Sequence, residues 1–395
     1  MFFIILLSLV GILVLLGVIE YAAHVHYLKK IPIRIHVNGT RGKSSVTRLI
    51  AAALREGGIK AFAKTTGTLP RVITDKAVEY PVFRPIGANI IEQLRIVAFV
   101  SKNGAEALVI ECMALQPHLQ SLTELRMIRS THGVITNARP DHLDVMGPDE
   151  QDVALALLGS TPRNSRLYTA ERDYVDLFDM ACKDRGTTME LVTDEEVGEV
   201  SDEDMTGFAY VEHKENVALA LRVCADCGVD RAVALAGMHK VKPDNGAMLE
   251  YELDYFGRRL LFINGFAAND PESSKIIWDL AKERHPSLDN CIMILNMRND
   301  RPDRSRQIGE AIPSWTRASK YIVIGSGTHV LIERAVGGGI EPNLFINGEG
   351  LDVDGIFETI LDHAMQSVLI VGIGNIKNEG LDLVRYFRNR SKIVK

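Results

Sequence analysis

Hydrophobic positions follow three regimes along the chain. From Phe2 to Ile19 nearly every residue is apolar, broken by Ser8 and the glycines at 11 and 17, and Tyr21 to Ala23 extend the run past Glu20. About 20 apolar residues in helical form match the ~30 Å hydrocarbon core of a bilayer. After this stretch, short apolar runs alternate with helical periodicity. Ile31 to Val37, interrupted by Pro32, Arg34 and His36, reads as a strand. Val46, Leu49, Ile50, Ala53 and Leu54 then mark one face of a helix expected over Ser44–Glu56. Continuous apolar runs at Ala107–Ile110 and Gly133–Ile135 have the pattern of buried parallel strands. Further helices are expected over Asn89–Ser101, Asp149–Leu158 and Lys214–Cys227, while the acidic segment Asp194 to Asp204 reads as a solvated loop. In the third regime, Leu249–Asp254 and Arg259–Ile263 form a hairpin pattern around Phe256-Gly257. Strand patterns recur at Cys291–Leu295, Tyr321–Ile324, Asn343–Ile346 and Ser367–Val371, separated by helical segments.

These patterns predict an α/β protein with a membrane helix over 1–28, a doubly wound phosphate-loop domain over 29–247 and a smaller C-terminal α/β domain over 248–395. The turn-rich Lys242-Pro243-Asp244-Asn245-Gly246 suits a hinge. A length of 395 residues accommodates this division. Lys29, Lys30 and Arg34 follow the apolar run and only the terminal amine precedes it. The positive-inside rule therefore predicts an uncleaved, single-pass anchor with the remaining domains in the cytoplasm. A net charge of −6 offers no global basic field, so no nucleic acid partner is expected. Five cysteines, an odd number without a framework, point to a reducing compartment. Cys224 and Cys227 share a helix face and read as core thiols rather than half of a zinc site.

Chemistry concentrates after the first strand, in Gly39-Thr40-Arg41-Gly42-Lys43-Ser44-Ser45. A strand, a glycine turn, Gly-Lys-Ser and a helix N-terminus together aim backbone N–H groups at an anion. The spacing is the short Gly-x-x-Gly-Lys-Ser rather than the longer Walker form. Lys43 is placed to reach the outer phosphates of a nucleotide and the Ser44 hydroxyl to bind Mg²⁺. Glu111 follows the strand Leu108-Val109-Ile110, and His142 follows another strand in Thr136-Asn137-Ala138-Arg139-Pro140-Asp141-His142-Leu143-Asp144. In a doubly wound sheet both strand ends can face the phosphate loop, where a carboxylate and an imidazole could hold Mg²⁺ with the phosphates. The plainer alternative is that Asp141 and Asp144 cap a turn with His142 packed beneath it.

In order and spacing, the phosphate loop, Glu111, and Thr136-Asn137 with Asp141-His142-Leu143-Asp144 resemble the signature of the Mur ligase family of ATP-dependent amide ligases. Asn216 resembles that family's adenine-contacting Asn. Asn269-Asp270-Pro271-Glu272-Ser273 is similar to its His-Asn-Pro-Asp-Ser segment, and Asn299-Asp300-Arg301-Pro302-Asp303-Arg304 to its Gly-Asp-Arg-Asp segment. The resemblance spans roughly residues 33 to 380. It leaves no room for the UDP-sugar-binding domain of muropeptide ligases. A membrane helix joined directly to such a core, with Lys64-Thr65-Thr66-Gly67-Thr68 following, resembles the ligase subunits of poly-γ-glutamate synthases within this family. No Lys occurs from Leu143 to Cys182, where many members carry a carbamylated one.

The resemblance implies ATP and Mg²⁺ as cofactors, with Lys43, Glu111 and His142 as catalytic residues and Ser44, Glu111 and His142 as metal ligands. Gly39, Thr40, Arg41, Gly42, Lys43, Ser44, Ser45, Asn137, Asn216 and Arg301 would hold the nucleotide. It also implies glutamate and a growing poly-γ-glutamate chain as substrates, other membrane subunits as partners, and room for a homo-oligomer. A polyanionic product needs cations and polar groups along its path. Candidates are Lys64, Thr66, Thr68, Arg71 and Arg84 in the first domain, and Asn269, Arg298, Asp300 and Arg304 in the second. The competing classes are a membrane-tethered phosphate-loop NTPase or kinase, and a nucleotide-sensing scaffold.

Overall fold

The computed structural model describes every residue except Met1, Thr68, Leu69, Pro85, Ile86, Ala209, Val211, 243–247, 267–269 and Lys395. Thr68, Asn269 and the central residues of the expected hinge therefore lie outside the described residues. The chain forms two compact units, one from Met1 to Phe208 resuming over Glu212–Lys242, the other holding the chain from Pro243 to Lys395.

In the first unit the strands are β1 (Ile33–Asn38), β2 (Ala61–Lys64), β3 (Arg71–Ile73), β4 (Glu79–Pro81), β5 (Ala107–Glu111), β6 (His132–Ile135), β7 (Arg166–Thr169) and β8 (Thr188–Leu191). Among the described residues they form one sheet in the order β4-β3-β2-β5-β1-β6-β7-β8. From β2 across to β8 the strands are parallel, and β3 and β4 add an antiparallel edge. Burial on both faces explains the continuous apolar runs: all of β5 is buried, and Ile35 and Val37 of β1 are fully so. His36, one of the polar interruptions in β1, is buried with its Nδ1 2.7 Å from Glu124 Oε2. The chain leaves β1 for β2 on one side and returns through β5 to β6 on the other. That reversal opens a crevice at the carboxyl end of β1, the usual ligand position in such sheets.

The apolar N-terminus is a single helix, Phe2–Lys29, long and apolar enough to cross a membrane, and exposed along its apolar stretch. Its last turns dock on the first unit, where His24 and Leu28 are buried and His24 Nε2 lies 2.9 Å from Met127 O. The acidic segment is not a loop. It folds into two single-turn helices, Asp194–Gly198 and Asp202–Thr206, because Thr193 with Glu196 and Ser201 with Asp204 each form a reciprocal capping box. The acidic side chains remain largely solvated, as their charge requires.

The second unit contains β9 (Leu249–Tyr255), β10 (Arg258–Asn264), β11 (Cys291–Met297), β12 (Lys320–Gly325), β13 (Phe345–Asn347), β14 (Ser367–Gly374) and β15 (Lys392–Val394). Their order is β13-β12-β11-β14-β10-β9-β15, parallel except at β9. The β9–β10 hairpin pairs Tyr255 with Arg258 across a two-residue turn, in which Phe256 and Gly257 both have positive φ. In β11, Met293 and Leu295 enter one core while Ile292 and Ile294 enter the core on the opposite face.

Candidate active site

The loop after β1 is shaped by two glycines. Gly39 has φ +130°, and a Cβ there would stand 2.0 Å from Thr136 Oγ1. Gly42 has φ +81° and would press a Cβ to 2.6 Å from Asn216 Oδ1. Only glycine permits this backbone at this proximity. The helix Lys43–Glu56 begins directly at Gly42 and no side chain caps its N-terminus. Its first-turn N–H groups thus form an anion-binding end. The segment after β6 clamps the loop from the side: Asn137 Oδ1 accepts from Thr40 Oγ1 at 2.7 Å and from Arg41 N at 3.0 Å. Thr40 Oγ1 in turn accepts from Arg139 N at 2.9 Å. Lys43 curls beneath the loop and donates to Gly39 O at 2.5 Å and Thr40 O at 3.0 Å. Burial lowers the pKa of Lys43, and the carboxylates of Glu111 and Asp141 act against that shift.

Glu111 closes β5 and pairs in register with Val37 of β1, so its carboxylate arrives beside the loop. Its Oε2 accepts from Ser44 Oγ at 2.8 Å and from Thr66 N at 2.7 Å, and the residue is 2% exposed. Ser45 Oγ donates to Glu212, whose other oxygen accepts from Asn216 Nδ2 at 2.8 Å and His213 N at 3.0 Å. Asn216 is thereby fixed against Gly42. Sequence reasoning missed Glu212; it stands next to the His213–Asn216 segment, but its pairing with Ser45 is purely tertiary. His142 has left-handed backbone, φ +50°, ahead of the short helix Leu143–Met146. Its Nε2 lies 3.9 Å from Asp141 Oδ1, and that same oxygen lies 3.9 Å from Arg41 Nη2. Asp141 therefore links His142 to the loop.

Among the described residues no group of three or more His, Cys, Asp or Glu side chains gathers as a metal site. What the geometry does present is an oxygen pair, the Ser44 hydroxyl and the Glu111 carboxylate, in direct contact at the helix N-terminus. A Mg²⁺ ion commonly takes one or two such ligands and completes its shell with phosphate oxygens and water. The residues present fit that pattern.

Of the expected substrate cations, Lys64 is fully buried and its Nζ lies 2.6 Å from Glu92 Oε1. Arg84 grips the same carboxylate at 2.6 and 2.7 Å. Both cations are thus engaged within the fold by one carboxylate, which balances one of their two charges. Arg71 opens β3 at the antiparallel edge and is half-buried. In the second unit Arg298 pairs with Asp300 at 2.5 Å, Arg301 precedes the helix Pro302–Ala311, and Arg304 lies in its first turn.

Cys224 is buried, whereas Cys227 lies just past its helix with Sγ 3.9 Å from His132 Nε2. This is not an activated nucleophile. Burial pushes the Cys227 thiol up to about 11, and burial with Arg166 and Arg34 pushes His132 down to about 4.

Comparison with known proteins bears on both units. Residues 37–158 match the Mur ligase middle domain, and residues 250–390 match the C-terminal domain of poly-γ-glutamate synthase CapB. PGA synthase CapB of Bacillus subtilis (strain 168) is 35% identical over 376 residues, covering 95% of each chain. The capsule biosynthesis protein CapB of Bacillus anthracis is 37% identical over 376 residues, or 94% of this chain and 80% of that one. Among solved structures, a bifunctional folylpolyglutamate synthase/dihydrofolate synthase of Yersinia pestis, complexed with AMPPNP and a Mn ion, aligns with a TM-score of 0.67 at 14% identity. That alignment covers 94% of this chain and 92% of the other. Escherichia coli FolC in complex with DHPP and ADP gives a TM-score of 0.65 at 14% identity, covering 93% and 91%. At identity this low the likeness shows a shared fold and nothing beyond it.

Proposed function

The chain belongs to the CapB family of poly-γ-glutamate synthases, built on a Mur ligase middle domain, and from that premise we propose that it joins glutamate units by ATP-dependent amide ligation at a membrane. The observation that carries this reading is the contact of Ser44 and Glu111 under a glycine loop at the carboxyl end of β1. A bound Mg²⁺ would supply charge neutralisation between the phosphates, held by Ser44 and Glu111, with His142 placed by Asp141 near the loop.

A free carboxylate does not form an amide at useful rate, because oxide is too poor a leaving group. Transfer of the γ-phosphoryl group breaks its bond to ADP and forms a bond to the substrate's γ-carboxylate oxygen. The amine of the next glutamate then forms the C–N bond, the C–O bond to phosphate breaks with its electron pair, and the amine's proton passes to solvent. Phosphoryl transfer is governed by positioning and charge neutralisation. Here the first-turn N–H groups of the helix Lys43–Glu56 and the Lys43 ammonium serve the phosphates. The Lys43 proton, disfavoured by burial alone, is favoured once phosphate charge lies beside it. Asn216 and Glu212 hold Ser45 and the flank of the loop. The helix Phe2–Lys29 serves as a single-pass anchor, and the growing chain and other membrane subunits are the partners.

The test is release of ADP and phosphate by the membrane-bound chain, with and without glutamate, combined with sizing of labelled product. Release should depend on glutamate, and Lys43→Ala and Glu111→Ala should abolish it while leaving the thermal unfolding cooperative. Glutamate-independent turnover with no polymer would point to a plain NTPase.

A further inference from the structure

At the opposite pole of the first unit's sheet, the amino-terminal ends of β1, β6, β7 and β8 border an open cleft of about 790 Å³. Five arginines line it, Arg34, Arg126, Arg129, Arg163 and Arg166, against two carboxylates. Both carboxylates are engaged. Glu124 meets His36 at 2.7 Å and accepts from Ser130 N at 2.8 Å. Asp226 pairs with Arg166 and accepts from Tyr168 Oη at 2.7 Å. Arg126 and Arg163 are exposed and have no carboxylate partner among the described residues. The chain as a whole carries −6, so this concentration of positive charge runs against the average. Arg129 has φ +48° at the end of the π-helical turn Thr123–Ile128. A non-glycine residue keeps such a backbone only where its surroundings enforce it.

The cleft also adjoins the apolar helix. Arg129 Nη2 donates to the Tyr21 hydroxyl at 2.7 Å, and its guanidinium stands 5.8 Å from that ring's centre. Arg34 Nη1 donates to Ile31 O at 2.6 Å, just past the helix end. Tyr21 follows the apolar stretch Phe2–Ile19 by two residues. Arg129 is thus within a helical turn of the point where an inserted helix leaves the hydrocarbon, the depth at which tyrosine and basic side chains collect.

We propose that this arginine cleft binds the headgroup phosphate of an anionic phospholipid in the leaflet where the helix Phe2–Lys29 emerges. The proposal rests on the reading of that helix as a membrane anchor. Guanidinium groups grip phosphate through paired N–H bonds, and basic clusters beside a membrane helix gain from the negative surface potential. A lipid suits the cleft better than the polyanionic product does. Arg34 is near the start of β1 and the phosphate loop follows its end, so the length of the strand, roughly 20 Å, separates the cleft from where polymer would form.

The full chain in nanodiscs of phosphatidylcholine with a minor share of phosphatidylglycerol, released in mild detergent and weighed by native mass spectrometry, provides the test. The wild type should retain phosphatidylglycerol in preference to phosphatidylcholine. The double variant Arg126→Gln/Arg163→Gln should retain it about 30-fold less, from the roughly fivefold that each basic residue at a membrane surface contributes. The variant should still float with neutral vesicles and keep glutamate-dependent ADP release. Equal retention by variant and wild type, or no headgroup preference in the wild type, would overturn the cleft assignment with the anchor intact. So would protection of the cleft arginines from a guanidine-modifying reagent by soluble oligo-γ-glutamate but not by the lipid. Failure of the wild type to float with any vesicle would remove the anchor itself, and the proposal with it.

Discussion

At the scale of single residues, two positions separate conformational strain from function. Gly42 and Gly58 have nearly the same backbone, φ +81° and +82°, but a Cβ on Gly58 meets nothing within 4 Å, whereas one on Gly42 meets Asn216. Alanine at either costs about 1–2 kcal/mol of left-handed strain. Gly42→Ala alone should also displace Asn216 and raise the nucleotide Kd about tenfold or more, while Gly58→Ala leaves it unchanged; calorimetric titration with ADP reads the difference. The second position is the buried pair His36–Glu124. Burial works against the imidazolium, but the Cys112 thiol and the Glu124 carboxylate outweigh it and raise His36 to about 10. A raised folded pKa gives stability that is complete below the unfolded value near 6.5 and is lost as pH climbs through about 10. Glu124→Gln should therefore destabilise the chain by about 3–5 kcal/mol at pH 6. The gap to wild type should narrow steadily toward pH 10. A gap equal at both ends, measured by denaturant unfolding, would exclude a charged pair.

At the scale of elements, the long, strongly patterned pieces were legible: the apolar helix, β1, β5, β6, the helix after the phosphate loop, the β9–β10 hairpin and the parallel strands of the second sheet. What periodicity did not reveal were β2, β3, β4, β7, β8 and β15, strands of three or four residues whose apolar content is too short to show a period. The two capping boxes in the acidic segment were present in the letters Thr193 to Glu196 and Ser201 to Asp204, but each caps a helix of only five residues, too short to carry an apolar period. Phosphate-loop residues could be read because local backbone geometry dictates them. The burial of Lys64 under Glu92 could not, because it depends on a partner 28 positions away. The apolar helix has a boundary that sequence also could not supply. Its exposed stretch ends near Tyr21, while His24 and Leu28 belong to the first unit's core. Deleting residues 2–19 should release the chain from membranes with little change in stability. Deleting 2–29 should cost about 3 kcal/mol more, from the burial of Leu28 and the hydrogen bond of His24. Equal melting temperatures for the two truncations would show that the docked turns contribute nothing.

For the whole molecule, the division of labour between the two units can be tested by separating them. Each carries its own sheet, and in the second unit both faces are covered by cores drawn from its own residues, Trp278 and Leu331 on one side and Phe357 and Phe387 on the other. A domain covered in this way has what it needs to fold alone. Residues 248–395 expressed separately should unfold in one cooperative transition and bind no nucleotide. Residues 1–242 contain every contact described around the phosphate loop, including Glu212 and Asn216, and should bind ADP. Glutamate-dependent ADP release should be lost from the fragment altogether, since an acyl phosphate is useful only where a second substrate is held against it and water is kept out. Amide formation by 1–242 alone would place the entire reaction in the first unit and leave the second without a chemical role.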